Sequence, residues 1–151
     1  MSDLNTVEEI LDYAIDMEQA AVDLYTRIAE QSGSAMAKKV FLAFAGEERG
    51  HKAKLEAVKA GKALVAGATP VQDLKIADYA NDVVLSDNPS YADILIFAMK
   101  QEKQAFRLYS DLAERMENPE IKELFLTLAQ EEAKHKLRFE IEYDDHELAE
   151  N

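Results

Sequence analysis

The sequence predicts an all-α fold: a four-helix bundle built from two copies of one helix pair, joined by a long crossover. Three observations predict it. Apolar residues recur at helical spacing over residues 6–31, 34–60, 90–115 and 119–143. Gly33, Gly61, Gly67, Pro70 and Pro89 fall between these stretches, and Pro119 opens the last. A Glu followed thirty residues later by Glu-x-x-His occurs twice, as Glu18…Glu48-x-x-His51 and Glu102…Glu132-x-x-His135. The two copies are 84 residues apart at every position (102 − 18 = 132 − 48 = 135 − 51 = 84).

The first helix is expected over residues 6–31. Thr6 with Glu9 has the spacing of a capping box. Leu11, Ala14, Ile15, Ala21, Val22, Tyr25 and Ile28 form its apolar stripe, and Gly33 is placed to stop it. The second helix, 34–60, carries Val40, Phe41, Phe44, Leu55 and Val58 on one face, with Gly61 just past its end. Residues 61–88 are too long for a tight hairpin, and only 73–84 suggest a short helix. They read as the crossover between the pairs. Asn88-Pro89 or Ser90 opens the third helix, which runs to about Arg115. Asn118-Pro119-Glu120 opens the fourth, with Pro at its first helical position. That helix is expected to end near Tyr143, leaving an acidic tail, 144–151, that frays. The chain is thus expected to be a single domain, 1–151, with helix pairs at about 6–60 and 89–143.

The offset of 84 also aligns identical residues away from the motif, among them Ala14/Ala98, Leu24/Leu108, Tyr25/Tyr109, Phe41/Phe125, Ala45/Ala129 and Glu47/Glu131. A helix pair has been repeated, and the two halves are expected to face each other across a pseudo-twofold axis.

Composition narrows the function. The chain has 151 residues, enough for one sizeable core, with six Phe, six Tyr and no Trp. Its net charge of −13 disfavours nucleic acid and anionic membrane surfaces as partners. The absence of Cys excludes disulfides and a Cys-ligated iron–sulfur centre within the chain. The N-terminal MSDLNTVEEI has no basic region ahead of an apolar run, and no apolar run approaches the ~18 residues of a membrane span. A soluble cytoplasmic protein is expected.

The repeated motif carries the chemistry. Glu18 interrupts the stripe Leu11–Ala14–Ala21–Tyr25, and Glu102 interrupts Leu95–Ala98–Ala105–Tyr109. Both are expected to point into the core, where an unpaired carboxylate costs several kcal/mol. Glu48 and His51 share a helix face, as do Glu132 and His135. Bundling four such faces gathers four Glu and two His, the donor set of a dinuclear metal site. Two divalent cations would cancel the charge of the four carboxylates. Carboxylate with imidazole suits iron or manganese, and zinc would also bind. Tyr25 and Tyr109 lie on the ligand faces and are candidates to hydrogen-bond the ligand carboxylates. Ala21 and Ala105 leave room beside them for a small oxidant. Glu47 and Glu131 stand one turn before the His of their own helix, where they could orient that imidazole; a solvated surface charge is the slightly favoured reading, so Glu47→Ala is expected to keep most metal affinity. His146, in the tail, is expected to be exposed.

In the segments MEQAAVDLY (17–25), QEKQAFRLY (101–109), EERGH (47–51) and EEAKH (131–135), the chain resembles the rubrerythrin branch of the ferritin-like superfamily. The resemblance spans about residues 6–143. It implies a ferritin-like bundle and two Fe ions. Glu18 and Glu102 would be terminal ligands, Glu48 and Glu132 bridges, and His51 and His135 would each complete one metal's shell. It further implies reduction of hydrogen peroxide in oxidative-stress defence, and a homodimer in which helix pairs can be exchanged. Two features depart from the family pattern. Without Cys there is no rubredoxin domain, so electrons would come from a separate donor protein. The additional Glu that rubrerythrins carry three residues after the third-helix ligand is Ala105 here. The remaining four-Glu, two-His set is shared with bacterioferritins and di-iron oxidases. Ferroxidase or iron-storage activity, a manganese catalase-like site, and a di-iron oxidase acting on dioxygen are therefore the alternatives.

Overall fold

A computed structural model describes residues 4–61 and 70–150. The expected turn residue Gly67 lies outside the described residues. Four long helices account for most of the chain: α1 (Val7–Gln31), α2 (Ala35–Ala60), α3 (Tyr91–Arg115) and α4 (Pro119–Glu150). The repeat holds at the level of backbone. Both ends of α3 lie 84 residues after those of α1 (91 − 7 = 115 − 31 = 84), and α4 begins 84 residues after α2 (119 − 35 = 84).

Local chemistry sets these starts. Thr6 caps α1 in a capping box with Glu9, and Ser90 caps α3 in a capping box with Asp93, again at the offset of 84. The Ser34 hydroxyl accepts from the Ala37 N–H at the start of α2. Asn118 Oδ1 accepts from the N–H groups of Glu120 and Ile121 at the start of α4. Each cap satisfies backbone donors that the first helical turn leaves without partners.

The helix ends were harder to foresee. Gly33 and Gly61 do sit just past α1 and α2, yet no described glycine adopts the left-handed conformation of a Schellman stop. Gly61 is at φ −78°, ψ 157°, so the chain leaves α2 in an extended direction. The expected fraying after Tyr143 is not seen: α4 continues to Glu150. His146, expected to be exposed, is half-buried and its ring meets Tyr91 edge-on at 5.1 Å.

Among its described residues the crossover contains one 3-10 turn, Ile76–Tyr79, in place of the short helix expected over 73–84. Asn5 ties this segment to the N-terminus. Its carbonyl accepts from Val71, its N–H donates to Leu74, and its side-chain oxygen accepts from the Ile76 N–H. Further along, Gln104 donates to the Ala80 carbonyl and Asn81 donates to Phe97 and Gln101. Tyr79 hydrogen-bonds Asp111. Residues 71–81 are held to the bundle because their polar groups find partners there.

In the bundle α1 lies along α2 and α3 along α4, while α1 meets α3 and α2 meets α4 across it. This is the ferritin-like architecture the sequence predicts. The interior divides in two. One apolar cluster includes Leu11, Ala14, Leu55, Leu108, Leu112 and Leu128; the other includes Tyr25, Ile28, Phe41, Leu95, Ala98 and Phe139. On every helix, the residues separating one cluster from the other include the buried Glu or Glu-x-x-His. Among the described residues, no helix is long and apolar enough to cross a membrane.

Candidate metal centre

All six residues singled out in the sequence are buried to within 2% of complete exclusion from solvent: Glu18, Glu48, His51, Glu102, Glu132 and His135. One helix supplies each element, with Glu18 on α1, Glu48 and His51 on α2, Glu102 on α3, and Glu132 and His135 on α4. The fold brings them together in two overlapping groups. Glu18, Glu48, His51 and Glu132 offer four donor atoms within 4.8 Å of one another, as do Glu48, Glu102, Glu132 and His135. Glu48 and Glu132 belong to both groups. Each remaining Glu and His belongs to one.

The donor atoms point at one another without bonding. His51 Nδ1 lies 2.8 Å from Glu132 Oε1, and His135 Nδ1 lies 2.7 Å from Glu48 Oε1. Neither approach has hydrogen-bond geometry, for all four atoms lack a hydrogen-bond partner. The same is true of Glu18 Oε2 and Glu102 Oε2. Every one of the six residues therefore presents one buried polar atom with nothing to satisfy it. Such atoms are rare in folded proteins and costly.

Charge behaves accordingly. Burial, followed by the charge of Glu132, pushes the Glu48 carboxyl well above its ordinary value. The same two causes, in the same order, push Glu102 up. Burial also acts on Glu132, but the approach of Glu102 and the two imidazoles outweighs it and holds this carboxyl below its ordinary value. Burial opposes the charged form of His51, yet the carboxylates of Glu132, Glu18 and Glu48 around Nδ1 prevail and raise it.

Contacts around the six differ from expectation in one respect. Glu47 and Glu131 do not serve the His of their own helix. Glu131 meets His51 Nε2, and Glu47 Oε2 meets His135 Nε2 at 2.6 Å, each crossing from α4 to α2 or back. A helix-surface charge is thus only half the description: Glu47 is 54% exposed and Glu131 35%, but the carboxylate tip of each is bonded to an imidazole. Accepting the Nε2 proton leaves Nδ1 of each ring as the lone-pair donor facing inward. Sequence spacing could not reveal this, because i to i+4 proximity suggests the partner on the same helix.

The two tyrosines also separate. Tyr109 Oη donates to Glu18 Oε1 at 2.5 Å. Tyr25 is equally buried, but its hydroxyl has no partner; its ring packs edge-on to His135 at 6.0 Å. Ala21 and Ala105 are buried beside the ligand helices' inner faces. Phe44, read from the sequence only as an apolar stripe residue, stacks on the His135 ring at 4.1 Å.

A family model described as Rubrerythrin matches residues 9–67 and 93–151, two segments that again stand 84 apart (93 − 9 = 151 − 67 = 84). Among solved structures, a hypothetical protein from Pyrococcus furiosus is similar, with a TM-score of 0.70 and 27% identity over 92% of this chain and 89% of that one. No match was found among curated proteins.

Two outcomes are expected from this geometry. Glu48 and Glu102 are raised above 4.5 and His51 above 6.5, so all three bind more protons in the folded than in the unfolded protein at neutral pH. Their stabilisation is complete below about pH 4.5 for the carboxyls and lost as pH rises through the folded values. Chelator-treated protein should therefore melt at higher temperature near pH 5.5 than near pH 8. Glu48→Gln should flatten that slope; a slope unchanged by Glu48→Gln would assign it to general surface charge.

The second concerns the crossed carboxylates. Glu47→Ala should weaken Co(II) or Zn(II) binding about 10- to 100-fold, and Glu48→Ala by more. Calorimetric titration checks both; full affinity in Glu47→Ala would restore the surface-charge reading.

Proposed function

The chain belongs to the rubrerythrin family, and from that premise we propose that it is a non-haem di-iron protein that reduces hydrogen peroxide with electrons from a separate donor protein. The observation that carries the metal reading is the set of six buried donor atoms without partners, one on each of Glu18, Glu48, His51, Glu102, Glu132 and His135. The residues fit the metals. Four carboxylates balance two divalent cations, and a carboxylate–imidazole set without thiolate suits iron or manganese. Glu18 and His51 would hold one ion, Glu102 and His135 the other, and Glu48 and Glu132, common to both groups, would bridge them. Because the ligands come from all four helices, the proposal treats the chain as one functional domain.

When bound, a ferrous pair supplies two electrons, which with two protons convert one peroxide to two waters. The rest is done by the chain. The two apolar clusters exclude bulk water on either side of the polar layer. Glu131 and Glu47 hold the Nε2 protons, fixing both imidazoles with Nδ1 inward. Tyr109 Oη–H holds one Glu18 oxygen and leaves the other free. The small side chains of Ala21 and Ala105 keep bulk away from the terminal carboxylates, one turn along the same helices.

One observation favours a second reading. Ala105 stands where rubrerythrins carry an additional carboxylate, and it packs into the apolar core. The set that remains also serves iron oxidation for storage, with dioxygen as oxidant. Manganese in the same ligands would instead disproportionate peroxide.

Anaerobic protein loaded with ferrous iron should be oxidised by about one peroxide per iron pair, faster than free ferrous iron, with the advantage lost in Glu132→Ala. Stopped-flow absorbance checks this. Oxidation no faster than that of free iron would defeat the peroxidase reading. Preference for dioxygen in a very large assembly would favour storage, and oxygen evolution without reductant would favour manganese chemistry.

A further inference from the structure

The six ligands obey the repeat, but their surroundings do not, and the chain serves as its own control. At the offset of 84, Phe44 becomes Leu128 and Phe139 becomes Leu55. All the aromatic bulk of these two positions therefore falls on the His135 side. Phe44 stacks on His135, Phe139 lies 4.9 Å from the Tyr25 ring, and Tyr25 stands edge-on to His135. In that position its hydroxyl reaches no acceptor. On the His51 side the aliphatic Leu128 and Leu55 are both fully buried, and Tyr109 stacks instead on Phe125 at 6.2 Å. There its hydroxyl reaches Glu18.

The consequence falls on the terminal carboxylates. Both imidazoles are already fixed through Nε2, by Glu131 and by Glu47, so they do not distinguish the halves. The carboxylates do. Glu18 is latched by Tyr109 with Oε2 turned toward His51 Nδ1, 3.5 Å away. Glu102 receives no such bond from Tyr25, and its Oε2 lies 4.0 Å from His135 Nδ1. A latched side chain loses its rotamer freedom on folding. An unlatched one loses it on binding, at the expense of affinity.

Resting on the dinuclear reading above, we propose that the two metal positions are unequal by construction. The Glu18–His51 position is pre-organised by Tyr109 and fills first. Tyr109 acts as a positioning residue and Tyr25 does not.

Crystals of the full-length protein grown with one equivalent of Co(II) per chain test this through anomalous scattering, which reads the occupancy of each position separately. The Glu18–His51 position should be at least about tenfold more occupied, the ratio expected of one charge-assisted hydrogen bond. Tyr109→Phe should bring the two occupancies together, while Tyr25→Phe should leave the ratio unchanged. Equal occupancies in the unsubstituted protein, or a ratio that survives Tyr109→Phe, would overturn the inference while leaving the metal centre intact. Cobalt at neither position, checked in solution by its visible absorption, would overturn the metal centre and the inference with it.

Discussion

Four carboxylates buried at the centre of a helical bundle are the constraint on which the rest of this structure depends. Each is excluded from water and flanked by apolar clusters on both sides. The cost of such burial is several kcal/mol per ion unless charge and hydrogen bonds compensate it. Protons offset part of it, as the raised Glu48 and Glu102 show, and the charge of the imidazoles beside Glu132 offsets another part. Neither satisfies the six donor atoms left without partners. A bundle stabilised by its core alone would place Leu at these positions. The polar layer makes sense as a binding site, whose stability is recovered by linkage when cations enter.

Duplication of a helix pair meets the constraint economically. Each pair brings one lone Glu and one Glu-x-x-His, and antiparallel packing sets the copies face to face. The reciprocity is complete at the imidazoles: His51 is held by Glu131 and faces Glu132, while His135 is held by Glu47 and faces Glu48. Each half finishes the other's site, so neither helix pair contains a complete one. The crossover has to span the bundle for this to happen. Bonds to Asn5, Gln104 and Phe97 hold its described part, residues 70–81, against the start of α1 and against α3.

Much of this was legible in the sequence, for identifiable reasons. Helix starts were clear because capping is local: Thr6, Ser34, Ser90 and Asn118 each bond within three residues. The six buried donors were clear because each breaks an apolar stripe at a repeated register. What escaped depends on tertiary contact. The acidic end of α4 looks unstable by itself, but the meeting of His146 with Tyr91 gives it a surface to follow. Nothing in the sequence singles out the buried Gln104, because its partner, the Ala80 carbonyl, lies in the crossover. Glu47 and Glu131 were read as surface charges because their imidazole partners stand on the opposite pair. Tyr25 and Tyr109 are identical in register, but Phe139 packs on Tyr25 where the repeat has Leu55, and Tyr109 stacks on Phe125.

If the polar layer exists to hold two metal ions, elemental analysis of protein purified without chelators will find them. About two iron or manganese atoms per chain are expected, released together when Glu48 or Glu132 is replaced by Ala. A chain that stays empty after anaerobic ferrous loading, with its helical content unchanged, would contradict that role.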